Sequence, residues 1–151
     1  MDVMDIVPLL GKSERDEAVQ SLLKRFGVDQ PLPRPKRDES QVNVELEGTA
    51  LELAFFDAES MFPGDSRYLE GELILQTLFI HTAAAQGKFR LPKGLEVPAD
   101  RKKAREVYGA PEWSSPVMKN DRWKVDNTKV LLCFTPDEKG VKQVAISYAG
   151  A

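Results

Sequence analysis

One cysteine, Cys133, and one histidine, His81, occur in 151 residues, and these scarcities exclude whole classes of chemistry. A lone thiol closes no intrachain disulfide, cannot build the Cys/His groupings of structural zinc, and suits a reducing compartment. His81 ends an apolar strand and has no Gly-x-Ser-x-Gly elbow near it in sequence, so it reads as structural rather than as part of a nucleophilic triad. Cys133 alternates out of phase with Leu132 and Phe134 and reads as a half-buried strand residue facing away from the core. His-Glu-x-x-His, phosphate-loop, Gly-x-Gly-x-x-Gly and EF-hand spacings are also missing. Catalytic residues, metal ligands and cofactor-binding residues are therefore expected to be none, and no cofactor is expected.

Long apolar runs are lacking as well: nothing approaches the roughly 20 residues of a membrane-spanning helix. The opening MDVMDIVPLLGK carries Asp2 and Asp5 where a secretory signal carries Lys or Arg, and Pro8 interrupts its apolar run. A cytoplasmic protein without a membrane partner is expected. Neither sign of charge is in large excess, since 21 Lys and Arg stand against 24 Asp and Glu for a net charge of -3. That field draws basic partners more readily than phosphate backbones, which disfavours direct nucleic-acid binding. What is present is a balance of 42% apolar and 30% charged residues, the profile of a single soluble globular domain over 1–151. A chain of this length buries about 70% of its unfolded surface and needs no metal or disulfide to supplement its core.

The apolar spacing Val19, Leu22, Leu23, Phe26 predicts a helix from about Ser13 to Phe26, capped by Ser13 with Asp16 and stopped at Gly27. DQPLPRPKRDES, with three prolines, predicts an extended connector. The period then changes to two. Val42, Val44 and Leu46 form one strand, Gly48 marks a turn, Leu51, Leu53 and Phe55 form the next, and Leu73 to Ile80 a third. Further on, Asp100 caps a helix running to Tyr108 with its stop at Gly109. Strands follow near Arg122 to Val125, over Lys129 to Phe134, and over Val141 to Tyr148, with turns at Asp126-Asn127 and at Pro136 to Gly140.

Sliding the chain by 79 residues lays Val44, Leu46, Leu51, Leu53 and Phe55 on Trp123, Val125, Val130, Leu132 and Phe134, and the two helix stops match at a slide of 82. The expected fold is therefore α+β: two tandem helix plus three-strand antiparallel meander repeats, approximately 9–82 and 91–149. Neither repeat is large enough to stand alone, so one continuous six-strand sheet with the helices on one face is expected.

Two basic clusters, Arg34, Lys36, Arg37 and Arg101, Lys102, Lys103, Arg105, read chiefly as solvated surface. The loop from Asp57 to Gly71 is more informative. Asp57, Glu59, Asp65 and Glu70 outweigh Arg67 there, and Met61, Phe62 and Tyr68 sit in a segment with no periodicity to bury them. Acidic charge steers a basic partner and large apolar groups anchor it, so these seven residues other than Arg67 are the candidate partner-binding set, with Trp113 in the second connector as an eighth. The alternative for the loop is that its aromatic groups cap the edge of the core.

LPKGLEVPADRKKAREVYGAPEWS followed by DRWKVDNTKVLLCFTPDEKGVKQVAIS, with Tyr108-Gly109-Ala110-Pro111 standing for Leu-Gly-x-Pro, resembles the repeat of the beta-lactamase inhibitor protein and of the outer-membrane-assembly lipoprotein fold. The opening LLGKSERDEAVQSLLKRFG resembles that of tandem-repeat cytosolic immunity proteins encoded beside polymorphic toxins and secretion-system effectors. The resemblance implies a stoichiometric inhibitor, not an enzyme, whose partner is a cognate toxin or effector with a basic surface, acting in the cytoplasm. A small enzyme with an unrecognised carboxylate site, and an effector adaptor or chaperone, are the alternatives.

Overall fold

The computed structural model describes residues 2–82 and 88–150; the end positions 1 and 151 of the expected domain lie outside them. In chain order its elements are α1 (Val3–Ile6), α2 (Glu17–Arg25), β1 (Gln41–Glu45), β2 (Leu51–Asp57), α3 (Ala58–Met61), β3 (Leu73–Ile80), β4 (Phe89–Arg90), β5 (Glu96–Val97), α4 (Arg101–Tyr108), β6 (Trp113–Ser115), β7 (Asn120–Val125), β8 (Thr128–Phe134) and β9 (Val141–Tyr148). Seven strands form one sheet in the order β1-β2-β3-β9-β8-β7-β6, and β4 and β5 form a separate ribbon. Every pairing is antiparallel. The fold is α+β around an antiparallel sheet.

Cross-strand partners share a face, so the register fixes what is inside. Val44 opposes Leu53, Leu53 opposes Leu78, Leu78 opposes Ile146, and Ile146 opposes Val130. One row on, Leu51 opposes Ile80, Ile80 opposes Val144, and Val144 opposes Leu132. These side chains form one apolar cluster with Val3 and Ile6 of α1, Val19, Leu22 and Leu23 of α2, and Ala104 of α4. Ala58 of α3 is buried outside that cluster.

Three expectations are corrected. The second helix begins at Glu17 rather than Ser13, because Asp16 takes the cap and accepts from the Ala18 amide, while Ser13 lies in an extended bridge to Ile74. The sheet has seven strands rather than six, because β6 pairs with β7 along the edge; three residues beside Pro116 are too short to show a period of two. The cluster on α4 is not all solvated surface. Arg101 is buried and donates to the fully buried Asp121 through Nε at 3.1 Å and Nη2 at 2.7 Å. Arg105 donates to the same carboxylate at 2.8 and 3.1 Å, and Ser114 Oγ at 2.7 Å.

Candidate functional site

The Asp57 to Gly71 segment is a structured loop, ordered by its own polar groups. Asp57 caps α3 by accepting from the Glu59 amide at 2.9 Å. Glu59 reaches forward to the Gly64 amide at 3.2 Å and closes the following turn. Asp65 grips Arg67 through Nε at 3.0 Å and Nη2 at 2.7 Å, and this hydrogen bonding holds its carboxyl below the usual range. Phe62 stacks on Tyr68 at 5.4 Å between ring centroids and meets the edge of Tyr148 at 6.0 Å. The Arg67 guanidinium lies over the other partner of that stack, 5.5 Å from the Tyr68 centroid.

The base of the loop is pinned by two buried glutamates. Glu72 accepts from Ser13 Oγ at 2.6 Å, the Leu69 amide at 3.1 Å and Arg15 Nη1 at 3.2 Å. Burial works to raise its carboxyl, and these hydrogen bonds outweigh burial, so it lies below its ordinary value. Glu14 accepts from the Leu73 amide and from Arg34 Nη1, both at 2.6 Å, and Arg34 also reaches the Gly71 carbonyl at 3.0 Å. The hydrogen bond to Glu14 raises the Arg34 pKa above normal. Arg34 of the proline-rich connector is therefore a structural cation.

Leu69 is 62% exposed and stands between two hollows that share it. One, of about 510 Å³, is walled by Asp57, Glu59, Asp65, Tyr68 and Glu70. The other, of about 410 Å³, is walled by Glu14, Arg15, Gln30, Arg34 and Glu70. Four carboxylates against Arg67 give the loop a net charge of -3, equal to the -3 of the entire chain. The remaining 20 Lys and Arg and 20 Asp and Glu sum to zero, so the net charge of the chain equals that of this loop.

Of the eight predicted residues, Asp57, Glu59, Asp65, Tyr68 and Glu70 line one hollow, and Met61 and Phe62 line a neighbouring depression with Tyr148. Phe62 and Tyr68 are half-buried against each other, so the free apolar group is Leu69, which the aromatic content of the loop conceals in the sequence. Trp113 is not brought to the loop. It sits 44% exposed on the edge strand β6, with the Arg122 guanidinium 5.6 Å from its ring centroid.

His81 Nε2 lies within hydrogen-bond distance of Glu52 Oε1, at 2.9 Å, and its ring stacks on Phe79. Burial pushes the half-buried Cys133 thiol up, which disfavours the thiolate a nucleophile needs. Among the described residues no three His, Cys, Asp or Glu side chains converge to hold a metal ion, and no helix is long and apolar enough to cross a membrane. No protein family, curated protein or solved structure matches the chain.

Proposed function

We propose that the chain is an immunity protein that binds a toxin or effector domain acting in the cytoplasm and neutralises it by occluding its active or substrate site. The observation that carries this reading is the concentration of the molecule's net charge of -3 in one preformed loop around an exposed Leu69. Carboxylates accelerate encounter with a basic surface, and an apolar side chain seated in a pocket slows release. Because Asp57, Glu59 and Asp65 already order the loop from within, little conformational entropy remains to be lost on docking. A toxin acting on nucleic acid presents a basic cleft, and an acidic loop enters it as a substitute for phosphates.

We also read the fold as two tandem units, 9–82 and 91–149. The support is in the register. The β2–β3 ladder slips between Ala54 and Phe55, and the β8–β9 ladder slips between Cys133 and Phe134, 79 residues on. Leu53 opposes Val44 in one meander and Leu132 opposes Asp121 in the other, so the first strands match at a slide of 77, two residues from the sequence alignment and on the same face. On this reading the loop between β2 and β3 is an insertion into a scaffold whose corresponding turn, between β8 and β9, is short.

The test is co-expression of the tagged chain with the product of a neighbouring toxin gene, followed by copurification and a growth assay. A stoichiometric complex that abolishes toxicity is expected. Protection without a complex, or a complex that leaves toxicity intact, overturns the reading. Within such a complex Leu69→Ala is expected to raise the dissociation constant by about thirtyfold through the off-rate, the effect of losing about 2 kcal/mol at an anchor. Asp57→Asn with Glu70→Gln is expected to slow association at low salt and leave dissociation unchanged.

A further inference from the structure

The sheet face opposite the apolar cluster carries an ordered gradient of charge. Following the register across all seven strands, one row of outward residues runs Glu45, Glu52, Phe79, Ala145, Leu131, Arg122, Trp113. Its first two members are acidic, Glu45 exposed and Glu52 18% exposed beside His81, its middle three apolar, and its last two a guanidinium lying over an indole. Lys129 and Lys124, paired one row away on β8 and β7, add to the basic end, which keeps a net positive charge although Glu112 contacts both Lys129 at 2.9 Å and Arg122 at 3.2 Å. Ala145, the smallest side chain of the row, lies on β9, the fourth of the seven strands. Arg122 retains 41% side-chain exposure although it contacts Glu112.

We infer that this face is the contact surface of a symmetric dimer, in which a second copy of the chain packs sheet against sheet about a twofold axis parallel to β9. A two-fold contact must be self-complementary, and this row is complementary to its own reversal. Rotation about that axis lays β2 on β7, β3 on β8 and β9 on itself. Glu45 and Glu52 then face the second copy's basic end, Phe79 faces its Leu131, and Ala145 faces its Ala145, where two small side chains permit close approach. An axis perpendicular to the strands places acid on acid and base on base, so the charge pattern selects one arrangement. Tilting the axis about 15° from β9 gives the crossing of about 30° common to aligned sheets, and the grouping of Arg122, Lys124 and Lys129 keeps a cation opposite the two glutamates across that angle.

The size of the face is sufficient. Seven strands at about 4.8 Å spacing span about 34 Å, and some five residues at about 3.3 Å give about 17 Å of depth. Two such faces bury on the order of 1,100 Å², the lower end of specific interfaces and in keeping with a micromolar dissociation constant.

The test is sedimentation velocity across about 1–500 µM protein. The parent chain is expected to move from a monomer of 16.9 kDa to twice that mass, with association weakened by high salt. Glu45→Lys with Glu52→Lys, and separately Arg122→Glu with Lys124→Glu, are each expected to weaken self-association about tenfold or more by opposing like charges. An equimolar mixture of the two variants restores one complementary contact set and one native set, so a heterodimer at least as tight as the parent is expected. That restoration also shows that both variants are folded. A parent chain that stays monomeric throughout the range overturns the proposal, and so does a mixture that associates no better than either variant alone. Binding of some other protein to the face by a monomeric parent overturns it equally.

Discussion

Asp121 is the residue on which the second half of the molecule most depends. Its side chain is fully buried, and one carboxylate accepts from both nitrogens of two guanidinium forks and from Ser114. Burial alone pushes its pKa up, and the hydrogen bonds from Arg101, Arg105 and Ser114 outweigh burial, so the group lies well below its ordinary 3.8. A carboxylate depressed in the folded state stabilises fully above its unfolded pKa and loses that contribution as pH falls through 3.8 and below. Asp121→Asn is expected to cost about 3 kcal/mol at neutral pH, the lower end for breaking a buried pair, because the buried Arg101 keeps its contact with Glu138 and Arg105 is part-exposed. Urea denaturation from pH 6 to 2 checks this, with a lower midpoint and a shallower acid slope expected in the variant. The strand expected near Arg122 to Val125 stops one residue short of this position, whereas β7 starts at Asn120. Asp121, Trp123 and Val125 alternate, which places a carboxylate on the inward face of β7, and a buried carboxylate demands a cation. Read by itself, the basic run on α4 gave no sign that two of its arginines served that demand.

At the scale of elements, what was legible followed from strong periods and punctuated ends. α4 starts at Asp100, whose carboxylate accepts from the Lys103 amide at 2.7 Å, and stops at Gly109 with φ 84°. Trp123 Nε1 donates to the Gly109 carbonyl at 2.9 Å and ties that stop to the sheet. Elements of two to four residues, α1, α3, β4, β5 and β6, escaped because so few positions display no period. The start of α2 was misjudged because a serine three residues before an aspartate imitates a cap, whereas tertiary pairing draws the chain into an extended run. There Gly11 donates to the Leu75 carbonyl at 2.7 Å and Glu14 to the Leu73 carbonyl at 2.8 Å. Gly11 has φ +88°, and a Cβ built on it meets the Tyr148 ring at 2.5 Å. Gly11→Ala is therefore expected to lose about 2–3 kcal/mol, from backbone strain and a displaced ring together. Gly71, at φ +78° with open space around its Cβ position, carries only the strain, and Gly71→Ala is expected to lose about 1 kcal/mol. Thermal melts of the two variants against the parent separate these effects.

For the whole molecule, the decisive junction is the pairing of β3 with β9, over Thr77–Ile80 and Val144–Ser147. It joins two meanders into one sheet and their inward residues into one apolar cluster, with Leu53 and Leu78 from the first half and Val130 and Ile146 from the second. One sheet was foreseeable from sequence because each half is too small to bury its own face; which strands meet was not, since pairing across the junction leaves no local period. Separating the halves strips Leu78 and Ile80 of Ile146 and Val144 and exposes the β3 edge along the same four residues. Both tryptophans, Trp113 and Trp123, belong to the second half, whereas strands in both halves contribute to far-ultraviolet circular dichroism. Indole fluorescence therefore follows one half and dichroism the whole. A single cooperative unit requires the two urea transitions to coincide, and coincidence within experimental error is expected for the parent chain. The fragment 1–82 is expected to show no cooperative transition. Fluorescence that shifts at a different urea concentration from dichroism, or a fragment that melts cooperatively, would mean that the two halves hold separate cores.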